Sequence, residues 1–146
     1  MATRLTRKTV AQSYGTVCAG EDAFRREGAE AAFKRFVTLA SVDYKDREPD
    51  AVLAPPTSER LGNLSFFFTH DSPAVRHYRL DLAALHASAR QIMPDVGQSA
   101  PQSASYKASQ ALAAELGKEV VAFPGGHTGW LLRPKGFAKK LAEILH

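Results

Sequence analysis

The stretch Glu119–Pro134, "EVVAFPGGHTGWLLRP", decides how the rest of the chain is read. Val120, Val121 and Phe123 favour an extended backbone, so "KEVVAF" is expected to be a strand. Pro124, Gly125 and Gly126 stop it, and His127 and Gly129 follow. Glycine lets the backbone turn sharply and keeps bulk away from the imidazole. The next helix is expected only at Pro134, which suits a first helical turn. It continues through Phe137, Leu141, Ile144 and Leu145.

Upstream, "SASYKASQALAAELGK", Ser103–Lys118, has the period of an amphipathic helix. Ala104, Ala108, Leu112 and Leu116 share its apolar stripe, and Gly117 is a natural C-cap. Before it, "ARQIMPDVG" (Ala89–Gly97) has the look of a short buried strand ending in a glycine turn, with Pro94 suited to a strand end. The order strand, helix, strand, helix implies parallel strands joined by crossover helices. The expected fold class is therefore α/β, with two short parallel strands behind a helix-rich N-terminal half.

That first half is less regular. Residues 1–20 form a poorly specified lead-in, with a helix expected over Lys8–Val17. "EDAFRREGAEAAFKRFVTLA" then places Phe24, Ala31, Ala32, Phe36 and Leu39 on one stripe, with Arg25, Arg26, Lys34 and Arg35 away from it. Gly28 marks a break between two short helices. "SVDYKDREPDAVLAPPTSER" is polar and proline-bearing, hence a loop. Ser58 is expected to cap a helix reaching about His70, anchored by Leu61, Leu64, Phe67 and Phe68. The crowded run Phe66–Phe68 reads as core packing, or as a helix facing both a core and a pocket. "LDLAALHAS" reads as a short helical connection.

The 146 residues carry a formal charge of +4, and the basic residues are dispersed. Nucleic-acid binders usually cluster such charge on one face, so no nucleic-acid partner is expected. Cys18 is the sole cysteine, which rules out an intrachain disulfide and a cysteine-based zinc site and favours a reducing compartment. No apolar run approaches a membrane span and no secretory h-region is present, so a cytoplasmic protein without a membrane partner is expected. His70, Asp71, His77 and His86 lack the spacing of a metal motif, and "FPGGHTG" matches no phosphate loop, so neither metal nor cofactor is expected.

The chemistry concentrates at His127. In parallel α/β sheets functional groups lie beyond the C-terminal strand ends, and His127 follows "EVVAF" directly. A histidine there can take a proton from a nucleophile and return it to a leaving group. Trp130 either lines a pocket beside it or packs under the last helix.

"LAAELGKEVVAFPGGHTGWLLRPKGFAKKLAEIL", Leu112–Leu145, resembles the C-terminal end of α/β-hydrolase-fold proteins, where the last strand, a glycine-flanked histidine and the closing helix follow in this order. "RREGAEAAFKRF" and "NLSFFFTHDSPAVRHYRLDLAAL" are similar to the helical cap and re-entry segment of bacterial members of that superfamily. The resemblance implies a cap-like segment over 21–88 and a C-terminal β-α-β-α segment over 89–146. It implies that His127 is the general base.

It also implies what is absent. The G-x-S-x-G nucleophile elbow does not occur in the chain. "GQSAP", Gly97–Pro101, places Ser99 as in an elbow but has Pro101 where the last glycine belongs. In the family's order this loop carries the acid, and that position falls near Ser99 and Ala100, neither a carboxylate. Asp95, just before the turn, is the displaced candidate.

The expectation is thus the C-terminal half of an ester- or epoxide-type hydrolase, inactive alone. It would be a fragment, or would assemble with another copy or with a complementary hydrolase half. Two alternatives stand beside it: a small active serine hydrolase using Ser99, Asp95 and His127, and a non-catalytic module for a small apolar ligand.

Overall fold

A computed structural model describes residues 18–55 and 57–145. The helix expected over Lys8–Val17 lies outside the described residues. The described residues are mixed and helix-rich, with one pair of short parallel strands among them, consistent with an α/β assignment.

Helix α1 (18–27) stops at Gly28, whose φ of 86° is open to glycine and strained for other residues. The chain restarts at once as α2 (Ala29–Leu39). This is the break expected at Gly28. Ala23, Ala32 and Phe68 form the buried centre here, with Phe24, Phe36 and Phe67 packed around them. Arg25, Arg26, Lys34 and Arg35 stay exposed, so the apolar stripe faces inward as its period dictates.

Helix α3 (Ser58–Phe66) is capped one residue earlier than expected. Thr57 accepts the Arg60 N–H, and Ser58 is already helical. Nor does the helix end at His70. It passes through a π-helical turn, Phe67–Asp71, into α4 (Ser72–His77). That turn divides the aromatic run. Phe67 and Phe68 pack into the cluster, while Phe66 is 59% exposed and lies tilted against the His70 ring, 4.6 Å between centroids. Under the cluster, the buried Glu21 accepts from the Ser72 hydroxyl and pairs with Arg76.

Helix α5 (Leu82–Ala87) is capped by Asp81. Only Asp95–Gly97 of the stretch expected as a strand pairs as one, forming β1, and Ala89–Gln91 makes a 3-10 turn instead. Ser103 caps α6 (Ala104–Glu115) by accepting from Tyr106 N–H. Ala113 is buried and Ala108 exposed, so the inward face lies one residue off the expected stripe. Strand β2 (Val121–Phe123) runs parallel to β1, pairing Asp95 with Val121, Val96 with Ala122 and Gly97 with Phe123. A short helix α7 (Gly129–Leu132) then follows the glycine loop directly, which the sequence pattern did not disclose. Helix α8 (Pro134–Leu145) starts at Pro134 as expected.

Among the described residues eight apolar side chains are buried, and four of them are alanines, so little apolar volume is enclosed. No helix there is long and apolar enough to cross a membrane.

Candidate functional site

Both strands end where the chain must approach itself closely. Gln98 N–H donates to the Phe123 carbonyl and Ser99 N–H to that of Gly125, each at 3.0 Å, so the ladder runs on into the histidine loop. A Cβ on Gly97 would lie 2.3 Å from the Gly126 oxygen, and one on Gly129 2.4 Å from the Pro124 oxygen. Gly125 has φ 86°. The glycines therefore serve contact between backbones, and the imidazole is carried outward on an exposed turn.

His127 lies between two clefts. The larger, 360 Å³, is lined by Ser41, Asp43, Asp46, Ser99, Thr128 and His127 among others. The other, 270 Å³, holds Asp95, Ser105, Tyr106, Ser109, Trp130 and again His127. Trp130 is 60% exposed and lines this cleft rather than packing under the last helix. Of the residues singled out from sequence, His127 shares the larger cleft with Ser99 and the smaller one with Asp95, which stands at the upstream end of β1.

The carboxylates of the larger cleft come from the loop after α2, which the sequence reading passed over as polar linker. Arg133 Nε donates to Asp46 Oδ1 at 3.0 Å, and Arg133 Nη2 reaches the same oxygen. The guanidinium first, and the Ser99 side chain second, hold the Asp46 carboxyl below the usual aspartate range, so it is ionised at neutral pH. Two residues on, the Glu48 carboxylate accepts the N–H groups of Lys135 and Gly136 at 3.1 and 2.9 Å. It thereby caps the free donors of α8 and places negative charge at the positive end of that helix. Asp50 pairs with Lys135. No local signal marked these carboxylates: Asp46 and Asp50 lie four residues apart, while their partners Arg133 and Lys135 lie two apart and far along the chain.

His77 and His86 make contacts away from these clefts. His77 Nδ1 lies 2.8 Å from the Pro73 carbonyl, and His86 Nε2 lies 3.1 Å from Glu115. Among the described residues no three His, Cys, Asp or Glu side chains are grouped to hold a metal ion.

A histidine held beyond the C-terminal end of a parallel strand, with a serine and carboxylates in its cleft, is an arrangement suited to proton-transfer chemistry in a hydrolase-like protein. The sequence has a hydrolase-like relative. It is 34% identical over 104 residues to a Bacillus subtilis (strain 168) protein described as uncharacterized hydrolase YraK. The match takes in 68% of this chain but 37% of that protein, so the chain spans little more than a third of its relative's length. No family model matches the chain, and no solved structure matches it.

Proposed function

We propose that this chain is the histidine-bearing half of an α/β-hydrolase-type site, with His127 as general base for hydrolysis of an ester- or epoxide-type bond. The observation that carries this reading is the placement of His127, on a glycine loop at the C-terminal end of β2, above a cleft that also holds Ser99 and Asp46. The likeness to a protein described as a hydrolase supports it. The segment 21–88 is then the cap, and 89–146 the end of the catalytic domain.

The nucleophile must come from elsewhere, since the chain has no G-x-S-x-G. Two paired strands and a core rich in alanine leave strand edges and helix faces to be covered. A complementary hydrolase half fits that need, and a second copy of this chain is the other candidate.

One geometric fact favours the self-contained alternative and another disfavours it. Ser99, His127 and a carboxylate do share one cleft. Yet among the described residues no hydrogen bond or ion pair joins the imidazole to Ser99 or to Asp46, whose carboxylate is held by Arg133. In a working triad the histidine stands between nucleophile and acid.

A fluorophosphonate probe separates the readings. The chain alone should not label, and a chimera carrying the part of the Bacillus relative outside the 104-residue match should label. Within the chimera His127→Ala should lower turnover about a thousandfold or more. Labelling of the isolated chain that is lost in Ser99→Ala would replace this reading by the self-contained serine hydrolase. A folded chimera that neither labels nor hydrolyses p-nitrophenyl acetate would sink the hydrolase reading.

A further inference from the structure

We propose that the smaller cleft, lined from α6, α7 and α8, is a binding site for a compact organic cation: an alkylammonium group on a short apolar stem. The proposal is independent of the hydrolase reading and involves no proton transfer. It rests on what the 270 Å³ cavity offers a ligand. Tyr106, Trp130 and Phe137 bring aromatic rings to it from three helices. Phe123, buried at the end of β2, lies against Phe137 with 4.5 Å between ring centroids. Trp130 keeps 60% of its surface exposed, and an indole face is the best aromatic partner for a cation.

The charge of the cavity has one sign. Asp95 lines it and no lysine or arginine does, although the whole chain carries +4. Among the described residues no hydrogen bond or ion pair takes up the Asp95 carboxylate. The larger cleft differs on this point. There Arg133 holds Asp46, and Asp43 accepts the Lys45 N–H at 2.9 Å. The Tyr106 and Ser109 hydroxyls of the smaller cleft are likewise without a side-chain partner among the described residues, and both can accept from an ammonium N–H. An anion would meet the carboxylate with no lysine or arginine to offset it, and a neutral ligand would gain nothing from its charge. A cation gains from the carboxylate, the hydroxyls and the ring faces together.

Trp130 is the sole tryptophan, so its fluorescence reports this cleft. The isolated chain is titrated with butylammonium, 1-butanol and butyrate, which share one stem and differ in charge. Butylammonium should bind saturably with a millimolar constant, because the site is open and its charge solvated. Butanol should bind about five- to tenfold more weakly, and butyrate without saturation. Asp95→Asn should weaken butylammonium about three- to fivefold and leave butanol unchanged. Asp43→Asn, in the other cleft, should leave both within about twofold. Trp130→Leu, read by saturation transfer to the butyl protons, should weaken butylammonium about threefold or more, and Trp130→Phe should restore part of that loss.

Asp95 and Trp130 are both exposed, so these variants should keep the wild-type urea midpoint. The three-probe series on wild type decides the charge preference even where a variant fails to fold. Equal affinity for butanol and butylammonium would overturn the proposal, as would tighter binding of butyrate. So would the absence of a saturable butylammonium response up to about 100 mM. An unchanged butylammonium affinity in folded Asp95→Asn would overturn the assignment of the carboxylate and the proposal with it.

Discussion

Around Phe68, helices meet through aromatic rings; around His127, strands and turns meet through glycine. In the first region Phe24 and Phe68 stack at 5.6 Å, and Phe67 meets Phe36 and Phe68 edge-on. In the second, the closest approaches are between backbone atoms, and they exist because no Cβ intervenes. The first region is held by buried volume and the second by the absence of volume. The same kind of substitution, one that alters side-chain size, should therefore act in opposite senses on the two.

The largest effect is expected where volume is removed from the ring cluster. Phe68 is 4% exposed, so Phe68→Ala should cost about 3–5 kcal/mol in urea unfolding. A loss below about 1 kcal/mol would show that the rings do not form a shared core. Next comes the addition of a single methyl in the other region. The Cβ of Gly97→Ala would meet the Gly126 carbonyl, a backbone atom with no rotamer to yield, at a cost of about 3 kcal/mol. Gly28→Ala is the control from the helical region. Nothing lies within 4 Å of its Cβ, but φ is 86°, so only the left-handed backbone is penalised, by about 1–2 kcal/mol. Equal losses at the two glycines would erase the distinction drawn between the regions.

The loop carrying Asp46, Glu48 and Asp50 ties the regions together. Glu48→Gln keeps one acceptor oxygen but loses the charge at the N-terminus of α8 and one of the two bonds. About 1 kcal/mol should be lost in thermal or urea unfolding, with the amide signals of Lys135 and Gly136 shifting. Unchanged amide signals would mean that the loop is not clamped there.

This loop also marks the boundary of what could be read from sequence. The strand around Val121, the glycine turn, the helix start at Pro134 and the break at Gly28 were legible because each is set by neighbours in the chain. Asp46 was not, because its partner Arg133 lies 87 residues away and nothing local distinguishes it from other acids in a polar loop. Asp95, reached through its nearness to Gly97 in the chain, shares the smaller cleft with His127. The phase of α6 and the π-helical turn within the aromatic run were also illegible. The turn depends on where Phe67 and Phe68 find room.

The smallest expected effect concerns pH and tests whether the link between the regions is electrostatic. The Asp46 carboxyl is held below its ordinary value, near 3.9, by Arg133 and then by Ser99. Its deprotonated form is therefore favoured more by the folded chain than by the unfolded one. The resulting stability is fully present above about pH 5. It declines as the pH falls through the unfolded value, and is lost once the pH has passed below the folded one. Arg133, held above its already high range, remains charged throughout and contributes no slope of its own. Because the guanidinium is 36% exposed, solvent screening keeps the pair's contribution at or below about 1 kcal/mol. Wild type and Asp46→Asn should differ by that amount in urea unfolding at pH 7 and at pH 5, and the difference should shrink as the pH falls through the unfolded aspartate value. A difference that does not shrink on acidification would assign the role of Asp46 to shape and hydrogen bonding rather than to charge.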